Sequence, residues 1–451
     1  MNPASARRVD AQDALAVVSG CARLLFTNGQ TTEKTLAAVK QMACGLGYRA
    51  SVFPHWGELT VRIEDDSGSL YDLSAAEPAG VDLSKVAATM RVSDEVAAGK
   101  CDVSAAKGAL EAISRRPPIR LLRFALMAAA GAAALGVVFG ANHLLTLILI
   151  AVSAGTGACL RRWLAGKSHN LFLQPFGAAL LAGIIGAVAV RLHLSSFLRL
   201  VAVCPCMVLV PGPHLLNGAL DLVRARIGLG IARVTYATLI TLAICVGLIL
   251  GLAIGNVKLP ASGTSPPIPL AYDMLAAGVA VAAYGAFFNM PWRMLPIPIA
   301  VGILAHASHW MAMAWAGASV VTGAFLACLL VSVIMTPTAN YLRLPFAGLA
   351  FACVVSLIPG VYIFRMVAGA IDLTALGSEP PAGILDQVAA DGISAFFILL
   401  AMVLGLVLPK MGIEHWEHQK WWYASGGDRR AFRWPEASVQ ETRKNRRQQR
   451  R

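Results

Sequence analysis

The sequence predicts a polytopic α-helical membrane protein: ten spans forming two inverted five-helix repeats, preceded by a small α+β domain on the cytoplasmic side. Three observations carry that prediction. Of the 451 residues, 57% are hydrophobic and 14% charged, against roughly a quarter charged in soluble chains, and the mean hydropathy is +0.63. The polar residues concentrate before Arg123 and after Lys410. Between those limits, apolar segments long enough to cross a bilayer recur ten times.

The polar front reads as a domain of its own. Residues 11–27 have a helical pattern closed by Asn28-Gly29, and Thr31 or Thr32 caps a second helix that ends at Gly45 or Gly47. The period then drops to two: Thr60, Arg62 and Glu64 alternate with Val61 and Ile63. Asp65-Asp66-Ser67-Gly68 makes a turn before Ser69–Leu73. A helical pair follows over 81–113. His55, Glu58, Asp65 and Asp66 assemble on paper into a hydrolytic site, but aspartates in a turn need only backbone reasons to be there. The first twenty residues lack the continuous apolar core of a signal peptide, so the front is expected to stay unexported.

The spans are expected at 121–140, 143–160, 171–190, 197–220 and 233–256, then 269–289, 295–315, 319–336, 344–370 and 392–408. With the front in the cytoplasm, the inside connections hold eight basic residues (Arg161, Arg162, Lys167, Arg224, Arg226, Arg233, Arg293, Arg343) and the outside ones three (Arg191, Arg199, Lys258). That follows the positive-inside tendency and brings the tail inside too. The domain limits are 1–117, 118–258, 259–409 and a basic tail, 410–451. The net charge of +13 is concentrated in that tail and at span ends, which suits membrane lipid and argues against nucleic acid as a partner. The nine cysteines show no metal or redox spacing and read as small hydrophobes.

The fourth and ninth segments correspond. Pro211-Gly212 matches Pro359-Gly360, and NGALDL at 217–222 matches AGAIDL at 368–373, with three extra residues in the second copy. Five spans is an odd number, so the halves enter the bilayer in opposite senses, the arrangement in which broken helices build a midplane site. Helix breaks are expected at Pro205, Pro211, Pro213 and Pro359, with Gly212 and Gly360 allowing close approach. Around them, His214–Asn217 and Tyr362–Arg365 are i,i+3 pairs that share a helix face. Asn217 and Tyr362 can orient an amino or hydroxyl group, and His214 can carry a coupling proton. Arg365 can grip a carboxylate in a fork or snorkel to the outer interface. Asp221 and its counterpart Asp372 read as gates or caps near opposite surfaces. His306 and His309, with Trp310 behind them, are too few for a metal site. Asp273, Tyr284 and Gln174 line a pathway or bond helix to helix.

These residues carry a resemblance to the threonine/serine exporter family, through LLFTNGQTTEKTLAAV in the front domain, VPGPHLLNGALDL in the first half and SLIPGVYIFR in the second. The likeness covers most of the chain, in the fused form of a family whose two portions also occur as partner proteins. It implies secondary, proton-driven export of threonine and serine from the inner membrane, with related split systems associated with dicarboxylates. The expected partners are a small zwitterionic or carboxylate substrate and protons, and homo-oligomerisation is left open. No cofactor or metal is expected, and no ATP-binding loop is present. A dicarboxylate exporter and a membrane-embedded sensor are the alternatives.

Overall fold

A computed structural model describes residues 9–194, 198–257, 268–375 and 383–424. The basic run from Arg429, Lys258 and Glu379 lie outside the described residues. The chain divides into two compact units, Met1–Val407 and Leu408–Arg451.

The front domain begins with α1 (Ala11–Thr27) and α2 (Thr32–Gly45). Next come β1 (Arg49–Pro54), β2 (Gly57–Asp65) and β3 (Gly68–Ala76), an antiparallel sheet in the order β1-β2-β3. It closes with α3 (Leu83–Ala97) and α4 (Val103–Ser114). Two aspartates start those last helices: Asp82 accepts from the Ser84 and Lys85 amides, and Asp102 from that of Ala105. One core joins the pieces, with Val18, Leu25, Phe26, Val39, Leu59, Ile63 and Val86 all 1% exposed or less. Cys21 lies in that core, where burial pushes its thiol up to about 12, as expected of a cysteine serving as a hydrophobe.

The paper hydrolytic site comes apart. His55 and Glu58 form the β1–β2 turn, where the His55 amide donates to the Glu58 carbonyl at 3.0 Å. Asp65 sits seven residues along β2, about 23 Å away at strand rise. There its carboxylate accepts from the Ser67 and Gly68 amides at 2.8 and 3.2 Å, a backbone-stabilising turn.

Two helical halves follow in one order. The first is α5 (Leu121–Val138), α6 (Leu144–Lys167), α7 (Leu173–Arg191), a broken pair α8 (Leu198–Met207) and α9 (Gly212–Val223), then α10 (Ile227–Ile254). The second is α11 (Leu270–Phe287), α12 (Pro296–Ala314), α13 (Val320–Leu342), a broken pair α14 (Phe346–Val354) and α15 (Gly360–Ala375), then α16 (Ile384–Ala424). Eight helices are long and apolar enough to cross a membrane, or up to ten if each bent pair counts as one span.

The packing repeats as well. In each half the first helix contacts the second and the second contacts the third, and the leading piece of the broken pair touches all three. The third and fifth helices meet through small residues in both halves. A Cβ on Gly183 of α7 would lie 2.9 Å from the Cα of Gly251 of α10, and one on Gly405 of α16 would lie 2.8 Å from the Cβ of Cys328 of α13. Across the halves, α9 packs on α14 and α15 on α8. Beyond Leu408, the second unit continues α16 and contains a Lys410–Glu414 ion pair.

Candidate functional site

The two breaks share one backbone device. The Gly212 amide donates to the Val210 carbonyl at 2.9 Å, and the Gly360 amide to the Ile358 carbonyl at 2.8 Å. Each is a three-residue turn that redirects the chain, bending the pairs by 50° and 66°. Of the four prolines expected to break helices, Pro211 and Pro359 do. Pro205 lies inside α8, and Pro213 sits in the first turn of α9, where a missing amide leaves no hydrogen bond unmade.

A cavity opens at each break. The first, about 390 Å³, is lined by Pro211, His214, Arg161, Gln174, Tyr236 and Asn289, with Ala79–Asp82 of the front domain across it. The second, about 460 Å³, is lined by Pro359, Tyr362, Asp273, His306, His309 and Trp310. Both volumes suit a small ligand. They lie at opposite ends of α5 and α11, each 18 residues and so about 27 Å long. The first cavity takes Phe124 from the start of α5 and Phe287 from the end of α11. The second takes Val138 from the end of α5 and Asp273 from the start of α11. The equivalent first helices therefore run in opposite directions, which is the inversion expected from five-span halves. A third, much smaller apolar pocket of about 40 Å³ is lined by Val210, Gly212, Phe351, Val354, Ile358 and Met402, sharing Val210 with the first cavity and Ile358 with the second.

This arrangement separates residues the sequence put together. His214 faces the first cavity, its ring bonded to the Ala79 backbone and 5.3 Å from that of Tyr236, whereas Tyr362 faces the second. Asn217 turns to the front domain, its amide donating to the Gly29 carbonyl at 3.3 Å. Asp221 is 2% exposed and accepts from Thr32 at 3.0 Å. It also pairs with Arg226 at 3.4 Å and with the fully buried Arg233 at 3.2 Å. The Arg233 guanidinium lies 5.4 Å over the Phe26 ring, and Glu33 pairs with Arg224. The face of α9 read as substrate-binding thus anchors the front domain. Asn289 reinforces the anchor, donating to both Asp82 oxygens at 3.1 and 3.0 Å.

Arg365 is occupied as well. Its fork holds Asp391 of α16 through Nε at 2.9 Å and a second nitrogen at 2.5 Å, while its guanidinium carbon stands 5.8 Å from the Tyr362 ring centre. The reason is electrostatic: a carboxylate only 3% exposed needs a charged, hydrogen-bonded partner.

Two features escaped the sequence reading. Arg161, counted there only as a positive-inside charge, lines the first cavity over the Phe287 ring and forms no ion pair among the described residues. Its neighbour Arg162 is taken up by the Ile119 carbonyl. The second feature is a cluster of Asp273, His306 and Ser356, at most 7% exposed. His306 Nδ1 lies 3.0 Å from Asp273, and its Nε2 contacts the Ser356 hydroxyl. Tyr284, a pathway candidate, is instead buried with its hydroxyl donating to the Met207 carbonyl at 3.1 Å. No three metal-ligating side chains gather among the described residues.

Opposed halves, a broken helix in each and a cavity at each break define a membrane transporter of the inverted-repeat class. The models of the threonine/serine exporter family ThrE match residues 16–255 and 273–411. The chain belongs to that family, in its fused two-part form. No solved structure matches the chain.

Proposed function

We propose that this protein is a proton-coupled secondary exporter of small hydroxy amino acids, threonine and serine, in the inner membrane, with both termini in the cytoplasm. The observation that carries this reading is the uncommitted guanidinium of Arg161, held against a helix break in a chain of the threonine/serine exporter family. A zwitterion entering beside the front domain presents its carboxylate to Arg161, while Gln174, His214, Tyr236 and Asn289 offer neutral partners for its ammonium and hydroxyl. Outward movement then requires the helices between the two breaks to part toward the second cavity and the front cavity to close.

Counterflow in proteoliposomes is the test, with threonine and serine compared against dicarboxylates. Arg161→Lys keeps the charge and loses the planar fork. Losing one charge-assisted hydrogen bond, about 1.5–3 kcal/mol, weakens threonine exchange by roughly ten- to 150-fold. Unaltered affinity would remove Arg161 from the site, and preferential exchange of dicarboxylates would reassign the substrate.

Orientation is tested separately in a cysteine-free background. Ala225→Cys, between α9 and α10, should label only after permeabilisation, and Asn142→Cys, between α5 and α6, should label in intact cells. The reverse pattern would turn the protein over.

A further inference from the structure

We propose that the Asp273–His306–Ser356 cluster is the proton-exchange site of this transporter, loaded from the second cavity and wired by Ser356 to the second helix break. The assignment rests on the exporter reading and goes beyond it, by naming which groups hold the proton.

Three elements bring the cluster together. Asp273 comes from the first turn of α11 and His306 from α12. Ser356 belongs to the 3-10 turn Val355–Leu357, immediately before Pro359-Gly360. All three line the second cavity, so water there reaches them. His309 and Tyr362 are the other ionisable groups on that lining, and the walls from α5, α13 and α16 are apolar (Val138, Phe139, Val320, Ile398).

The hydrogen bonds define two states. With His306 neutral, Nδ1–H donates to Asp273 and Nε2 accepts the Ser356 hydroxyl proton, leaving the cluster with a net charge of −1. When a proton from cavity water adds to Nε2, both ring nitrogens donate and the cluster becomes neutral. The Ser356 oxygen is then an acceptor from His306, and its hydroxyl proton must turn to another partner beside the break. Nothing is consumed but the proton.

The same switch explains how a proton displaces a substrate. The charged state faces the cavity with a carboxylate that attracts an α-ammonium, with the aromatic faces of Trp310 and Tyr362 on the same lining. The protonated state withdraws that attraction. Proton and ammonium thus compete, the requirement for exchange in opposite directions.

The experiment uses the full-length protein in sealed vesicles with an internal pH dye. In the wild type, a threonine gradient should drive proton movement and an imposed pH gradient should accelerate threonine flux. His306→Gln should abolish both couplings, with any acceleration by the gradient falling at least tenfold, while threonine counterflow persists. Asp273→Asn should also abolish both couplings, giving a second route if one variant fails to insert, and it should weaken threonine counterflow because the carboxylate that draws the ammonium is gone. Ser356→Ala should slow gradient-driven flux more than counterflow, because proton binding remains while its link to the break is cut. His306→Gln that still follows the gradient overturns the assignment, as does loss of coupling in His309→Gln with His306→Gln intact. A wild type that moves neither threonine, serine nor a dicarboxylate in response to the gradient overturns the exporter reading itself.

Discussion

Arg365→Ala is expected to destabilise the protein by about 3–5 kcal/mol, because it leaves Asp391 charged and buried with no partner. The two members of the pair are unequally enclosed, with side-chain exposures of 17% for Arg365 and 5% for Asp391. Asp391→Ala should therefore cost less, since the arginine stem can carry its guanidinium toward water. Replacing both with apolar residues of similar size, Arg365→Met with Asp391→Leu, should restore most of the loss. Unfolding in detergent reads all three variants, and threonine counterflow on the same preparations separates structure from recognition. If Arg365→Ala melted normally yet lost substrate affinity, the bidentate pair would be incidental and Arg365 would return to its role as carboxylate reader.

The second large effect belongs to Gly212. A Cβ placed there falls on the ring of Phe351, so α9 and α14 cannot hold their separation. Gly212→Ala should lower flux by roughly five- to 150-fold, corresponding to about 1–3 kcal/mol of overpacking. Phe351→Ala in the same chain should recover much of it by vacating the space. Gly360→Ala should be milder: its Cβ meets Met207 Cγ at 2.9 Å, and methionine is unbranched and readily displaced. Equal losses at the two glycines, with no rescue by Phe351→Ala, would mean that something other than this helix contact occupies the space.

Much of the scaffold was legible beforehand because its causes are local. The period-two stretch at Thr60–Glu64, the Asn28-Gly29 stop and the Pro-Gly pairs each act on their own few residues: the first lies inside β2, and the others fall where the structure ends or bends a helix. Pro205 was overread: a proline disfavours a helix interior, but α8 continues through it. At Gly212 and Gly360, what an added Cβ would meet is a side chain of the opposite half, Phe351 and Met207.

The sequence by itself determined that this chain crosses a membrane in two matched, opposed halves behind a small α+β domain, because apolar length, period and repeated Pro-Gly breaks are properties of contiguous residues. Tertiary structure decided the chemistry. It filled the Arg365 fork with Asp391, 26 residues away, and left Arg161 facing a cavity. It joined His306 to Asp273 and Ser356 across separations of 33 and 50 residues. It also turned Asn217 and Asp221 toward Gly29 and Thr32, 188 and 189 residues distant. The physical reason is that hydrophobic pattern specifies a helix and its buried face, whereas the partner of a buried charge depends on which helices pack together. In an apolar interior nearly every charge must find a partner, so function is left to the few polar groups that face a cavity.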